Sequence, residues 1–210
     1  MSGQPHLVPS APRGGVDASA LPEHGFGPST PSWWGTIGFM VIEGFTLLIC
    51  ITAYFYLRRN FDSYPPHGFA PPGLLISTIN LAVMLLSIPV AMRVHEAAHA
   101  KDARRVARAS AVLLGFGIIV LVLRVFELNT LNVRWDSNAY GSAVWFTVGF
   151  HTLLLLIDFA ESLAIGLIFL LGKEEEKHFT DAADDVQYWY FVVGAWIVLY
   201  AVIFLSPRLF

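Results

Sequence analysis

Apolar residues along this chain fall into five long runs, at about 33–57, 73–92, 108–128, 143–171 and 187–205, separated by stretches where charge, proline and glycine return. Each run is about 19 residues or longer, and at ~1.5 Å of rise per residue each can cross a hydrocarbon core ~30 Å thick. Within the runs the pattern is continuous: Leu153, Leu154, Leu155, Leu156 and Ile157 are apolar on every face, whereas a membrane barrel strand alternates. Helices are therefore predicted. The breaks carry turn formers, with Tyr64, Pro65, Pro66, His67 and Gly68, then Pro71, Pro72 and Gly73, in the first and residues 129–141 in the third. Short connections imply antiparallel neighbours. No period of about 20 to 50 residues recurs, so an internally repeated transporter core finds no support. Residues 1–32, rich in Pro, Gly, Ser and Ala and without a long apolar stretch, read as a flexible tail rather than a signal peptide. The expected architecture is an all-α polytopic bundle of five transmembrane helices over residues 33–210.

Composition agrees: 55% of the 210 residues are hydrophobic and 14% charged, where a soluble domain carries roughly a quarter charged. A net charge of -3 with 13 Lys and Arg offers no basic surface for nucleic acid. The one cysteine, Cys50, lies inside an apolar run, which excludes an internal disulfide framework. The Lys and Arg positions also set an orientation. Arg13, Arg93, Lys101, Arg104, Arg105, Arg108, Lys173 and Lys177 fall on one side; Arg58, Arg59, Arg134 and Arg208 fall on the other. The positive-inside rule then places the N-terminus in the cytoplasm and the C-terminus outside.

An ionisable side chain within hydrocarbon costs several kcal/mol unless it faces protein or water, so each is a functional candidate by default. Glu43 in the first helix, Arg124 and Glu127 in the third, and His151, Asp158 and Glu161 in the fourth qualify. At about 100° per residue the last three form one stripe on their helix. Glu43 and Glu161 lie at similar depth, roughly 15 Å from the cytoplasmic ends of their helices. If they meet, both cannot ionise in low dielectric and they share a proton; alternatively each bonds separately to a hydroxyl or carbonyl. Arg124 and Glu127, three apart near a helix end, read as a pair made tolerable by snorkelling. Trp33, Trp34, Trp135, Tyr140, Tyr188 and Trp189 read as interfacial anchors. Glu174, Glu175, Glu176, Asp181, Asp184 and Asp185 read as a solvated acidic loop.

His95, Glu96, Ala97, Ala98 and His99 spell H-E-x-x-H, which on a helix sets two imidazoles on one face beside a carboxylate, as in zinc peptidases. A zinc site would need a third ligand at matching depth. The motif is expected at or beyond the cytoplasmic end of the second helix, with Asp158 and Glu161 nearer the membrane middle, so a solvated helix end is the competing reading.

Taken together, the polar segments resemble subunit III of the haem-copper cytochrome c and quinol oxidases. Phe39, Met40, Val41, Ile42, Glu43, Gly44 and Phe45 are similar to the family's I-S-E-x-x-F run. Ser77, Thr78, Ile79 and Asn80 resemble its N-T-x-x-L-L helix, and Glu127 matches the glutamate of Q-x-x-E-Y, with Arg124 at the glutamine. Tyr140, Gly141 and Ser142, then Gly149, Phe150 and His151, resemble Y-G-S and G-F-H-G-L-H-V. Tyr188, Trp189, Tyr190, Phe191, Val192 and Trp196 resemble the closing Y-W-H-F-V-D-x-x-W. The likeness covers residues 33–205. It departs at Leu154, Tyr190 and Val193, where the family carries His, His and Asp, and Asp158 and Glu161 are acids not expected from it.

The resemblance implies a non-catalytic integral subunit of an oxidoreductase complex in a bacterial plasma membrane, part of aerobic respiratory electron transport. It would pack on catalytic subunit I and subunit II, hold phospholipid and support proton uptake, with no cofactor of its own and with haem and copper in the partner subunits. Glu43 and His151 would be its buried polar contacts. Three alternatives stand beside it: a subunit III-like component of a nitric oxide reductase system, a membrane zinc hydrolase using His95, Glu96 and His99, and a small proton or ion conductor using Glu43, His151, Asp158 and Glu161.

Overall fold

The computed structural model describes residues 25–209. Five long helices account for most of them: α1, Pro31–Arg59; α2, Leu74–His99; α3, Ala103–Asn129; α4, Ala139–Leu170; and α5, Glu176–Tyr200. The last continues through a π-helical turn, Ala201–Leu205, into Ser206–Leu209. All five are long and apolar enough to cross a membrane, α5 together with its continuation. Each extends past at least one end of its apolar run, because local capping rather than hydropathy sets the boundaries. Thr30 and Asp102 accept hydrogen bonds from the backbone N–H groups of Trp33 and Arg105, capping α1 and α3. Asn138 Oδ1 accepts from Gly141 N at 2.8 Å to start α4. At the other end of α4, Gly172 takes a left-handed φ of 63°, and Lys173 N donates to Ile168 O.

Most of the segment expected to be a tail, residues 1–24, lies outside the described residues. Its last part is folded onto the bundle: a 3-10 turn at Gly27–Ser29 precedes α1. The Phe26 ring stacks on His99 at 4.1 Å, and Thr180 Oγ1 donates to Gly25 O.

Helices α2, α3, α4 and α5 form a ring, with α2 against α3 and α5 and α4 against α3 and α5; α1 lies against α4 and α5. In hydrocarbon, helices gain nothing from hiding apolar surface from water, so association rests on close packing and interhelical hydrogen bonds. The α3–α4 seam shows the packing. A Cβ on Gly117 would stand 2.8 Å from the Phe159 ring, and one on Gly166 would stand 3.0 Å from Leu114. Pro89 sits inside α2, and Trp189 Nε1 of α5 donates to the nearby Ser87 Oγ at 2.9 Å.

The anchors expected at the membrane edge divide. Trp34 and Trp135 are exposed, but Tyr140, Tyr188 and Trp189 are buried in the bundle. Tyr140, in the first turn of α4, is covered by Tyr54 and Tyr64. For the two on α5 the reason is length, since the helix begins at Glu176 and Tyr188 stands about 18 Å along its axis rather than at its start. For the same reason Asp181, Asp184 and Asp185 do not form a solvated loop. They sit in the first turns of α5, with Asp184 and Asp185 buried.

Candidate proton-linked site and the buried polar interior

Two polar clusters lie inside the bundle. The first joins α2, α3, α4 and α5. Arg124 Nη1 is 3.1 Å from Glu127 Oε2, and both side chains are essentially inaccessible, so the pair is held by protein and does not snorkel as expected. Asn80 Nδ2 donates to the same Glu127 oxygen at 3.0 Å. Arg124 Nη2 stands 3.2 Å from His151 Nδ1, and the guanidinium lies over the Trp196 ring, 3.6 Å from its centroid. An arginine can only donate, so Nδ1 of His151 must be the acceptor and Nε2 carries the hydrogen, which it gives to Val192 O at 3.0 Å. The geometry therefore specifies a neutral imidazole of one tautomer.

The second cluster opens toward the end of the bundle where α1 and α5 begin. A crevice of about 220 Å³ runs between α1, α4 and α5, lined by Gly35, Thr36 and Phe39, by Ile157 and Glu161, and by Asp184, Asp185 and Tyr188. Glu161 is exposed at its mouth. Ser32 Oγ donates to Asp184 at 2.8 Å, and Ser162 Oγ to Asp185 Oδ2 at 2.7 Å. Beneath them the Tyr188 hydroxyl donates to Glu43 Oε2 at 2.8 Å, inside the bundle. Glu43 is thus bonded to Tyr188, and Glu161 lines the same crevice as that tyrosine; of the two arrangements left open for these carboxyls, Glu43 takes the separate bond to a hydroxyl. Asp158 is buried one turn of α4 from Ser162, and one of its oxygens and Asp185 Oδ1 have no hydrogen-bond partner among the described residues.

The His151, Asp158 and Glu161 stripe is accordingly divided among three surroundings. His151 faces Arg124, Asp158 is enclosed where α3, α4 and α5 meet, and Glu161 borders the crevice. Asn80, Ser162, Asp184, Asp185, Tyr188 and Trp196 complete the two clusters without having been singled out as site residues. For Tyr188, the signal was its spacing from the true helix start.

The H-E-x-x-H residues lie within the last turns of α2. His95 and His99 face one another at 4.2 Å between ring centroids, and His99 is sandwiched by Phe26. Glu96 is exposed and turns toward α3. Among the described residues no three His, Cys, Asp or Glu side chains are grouped so that they could hold a metal ion, so the pair finds no third donor. Outside the spans, on the α3–α4 connection, Arg134 pairs with Asp136 at 3.0 Å and holds that carboxyl below its ordinary value.

The sequence matches the family described as Cytochrome c oxidase subunit III over residues 20–207. Curated relatives agree. A protein named Cytochrome c oxidase subunit 3 from Synechocystis sp. is 26% identical over 176 residues, 82% of this chain and 74% of the relative. One of the same name from Thermostichus vulcanus is 26% identical over 178 residues, 83% of this chain and 87% of the relative. Another, from Anopheles gambiae, is 25% identical over 177 residues, 81% and 68% of the two chains. With the five spans, the buried glutamate of α1 and the α4 histidine all in their places, the chain belongs to the cytochrome c oxidase subunit III family of the haem-copper oxidases.

Proposed function

We propose that this chain is a non-catalytic integral subunit of a haem-copper terminal oxidase in a bacterial plasma membrane, with its N-terminus in the cytoplasm. It docks on the catalytic subunit I, together with subunit II, and supports their stability; it holds phospholipid; and it assists proton uptake during aerobic respiration. Haem and copper belong to the partner subunits. The names of the relatives favour an oxygen-reducing complex over a nitric oxide reductase.

The observation that carries the proton-linked part of this reading is the crevice between α1, α4 and α5. It places exposed Glu161 and buried Asp184 and Asp185 in one water-sized passage that ends at Tyr188 and its hydrogen bond to Glu43. Carboxyls at the mouth can collect protons at the cytoplasmic surface, and a phenol bonded to a carboxyl can pass one inward by rotating its hydroxyl. An intramembrane carboxyl that faces a crevice or another polar group is by default a candidate for a proton relay.

The test is a mild-detergent pull-down of the tagged full-length chain and of Tyr188→Phe. Both should bring down a haem-bearing complex with the same absorption per chain. Once reconstituted, the Tyr188→Phe complex should take up protons more slowly than wild type. A wild-type chain that comes down alone and colourless would sink the subunit reading; equal uptake rates would remove the crevice from the proton route.

A further inference from the structure

At the α2–α3 end, three guanidiniums border one pocket that neither cluster uses. Its volume is about 380 Å³, and Arg93, Arg105 and Arg108 line it together with Glu96, over a wall of Ala97, Ala109 and Val112. We infer that this pocket binds the headgroup phosphate of an anionic phospholipid, with one acyl chain lying down the groove between α2 and α3.

Depth is the first reason. Arg93 lies about 9 Å below the end of α2 at His99, and Arg108 about 8 Å below the start of α3 at Ala103, so the two stand level across the groove. Each is also the innermost charged residue at its end of the helix: no other charge follows Arg93 inward to Leu74 in α2, and none follows Arg108 before Arg124 in α3. That is where the hydrocarbon core meets the phosphate layer, and long Arg side chains there reach outward to the headgroups. The shape of the lining is the second reason. Polar groups crown the pocket, and its floor continues into Val112 and, further along α3, exposed Ile119, which offers an acyl chain a surface and offers a free anion nothing.

Charge is the third. Arg105 pairs with Asp102 at 3.0 Å, and Arg108 Nε donates to Arg104 O, which leaves the terminal nitrogens of Arg108 available. Arg93 makes no hydrogen bond or ion pair among the described residues. Setting Glu96 and Asp102 against the three arginines leaves one net positive charge. Basic pockets between transmembrane helices on the cytoplasmic side are recurrent sites for anionic headgroups, and each net charge there is worth about a fivefold preference. This inference deepens the lipid-holding part of the function proposed above and rests on it.

The full-length chain, reconstituted in phosphatidylcholine bilayers, is titrated with spin-labelled phosphatidylglycerol or spin-labelled phosphatidylcholine, and the motionally restricted fraction is read by electron paramagnetic resonance. Wild type should prefer phosphatidylglycerol about fivefold, and Glu96→Gln should raise that to about 25-fold, a gain that misfolding cannot imitate. Arg93→Gln, Arg105→Gln and Arg108→Gln combined should abolish or reverse the preference. Restriction of both lipids to equal extents would overturn the headgroup inference while leaving lipid holding intact, and restriction of neither would overturn both. Loss of the preference in millimolar inorganic phosphate would make this a phosphate pocket and overturn the lipid as its occupant. So would a wild-type chain without preference whose triple variant no longer brings down the haem complex, since the arginines would then be meeting protein.

Discussion

Arg124 has exchanged water for three partners, Glu127, His151 and the face of Trp196, and the exchange decides what its removal costs. A buried ion pair adds little net stability over well-packed apolar residues, but losing one member strands the other at a cost of about 3–5 kcal/mol. Arg124→Leu should therefore destabilise the bundle by that amount, read as a lower thermal midpoint in detergent. Arg124→Leu with Glu127→Leu should recover most of the loss, because no charge is left unpaired. If the double variant is as unstable as the single, the stacking on Trp196 and the bond to His151 matter more than the charge balance. The sequence showed these two charges and their spacing of three, and that was enough to pair them. It did not show that both are fully enclosed, since enclosure depends on Asn80, His151 and Trp196 from three other helices, and spacing along one helix says nothing about its neighbours.

Gly141, in the first turn of α4, is crowded most closely by backbone. A Cβ there would stand 2.2 Å from Arg134 O and 2.9 Å from Val133 Cγ2, so the α3–α4 connection crosses directly over the helix start. That approach gives the Tyr-Gly-Ser sequence a physical reason: Asn138 caps the helix, Tyr140 buries beside Tyr54 and Tyr64, and only glycine leaves room for the chain passing above. Gly141→Ala must move the connection, and a cost of about 1–3 kcal/mol, the range for overpacking, is expected in the same thermal assay. Proteolysis within residues 130–138 should quicken, whereas Gly172→Ala, at the open end of α4, should leave that region untouched. Element existence and order were legible because runs this long and uniformly apolar have no soluble alternative. The ends were not, because caps and polar turns extend helices past their apolar runs. This single error moved Tyr188 to the membrane edge and Asp184 and Asp185 into a loop, and so hid the crevice.

Across the whole molecule, five spans put the termini on opposite faces, and the proposed orientation makes the face with more Lys and Arg the cytoplasmic one. The face with more of them also carries the acids that begin α5, and Lys101 pairs with Glu176 to tie the α2–α3 turn to α5. Those acids weigh little in orientation, because insertion responds to Lys and Arg near the spans and not to net charge. Cysteine scanning can decide the matter, since the one native cysteine, Cys50, is buried within α1 and can be removed as Cys50→Ala to give a silent background. In intact cells, Ser63→Cys on the α1–α2 connection should react with a membrane-impermeant maleimide added outside, while Ala100→Cys on the α2–α3 turn should react only after permeabilisation. The opposite pattern would turn the bundle over and, with it, place the Glu161 crevice and the three-arginine pocket on the outer face. Proton collection from the cytoplasm and binding to the anionic cytoplasmic leaflet both require the first pattern, so one labelling experiment constrains the two sites together.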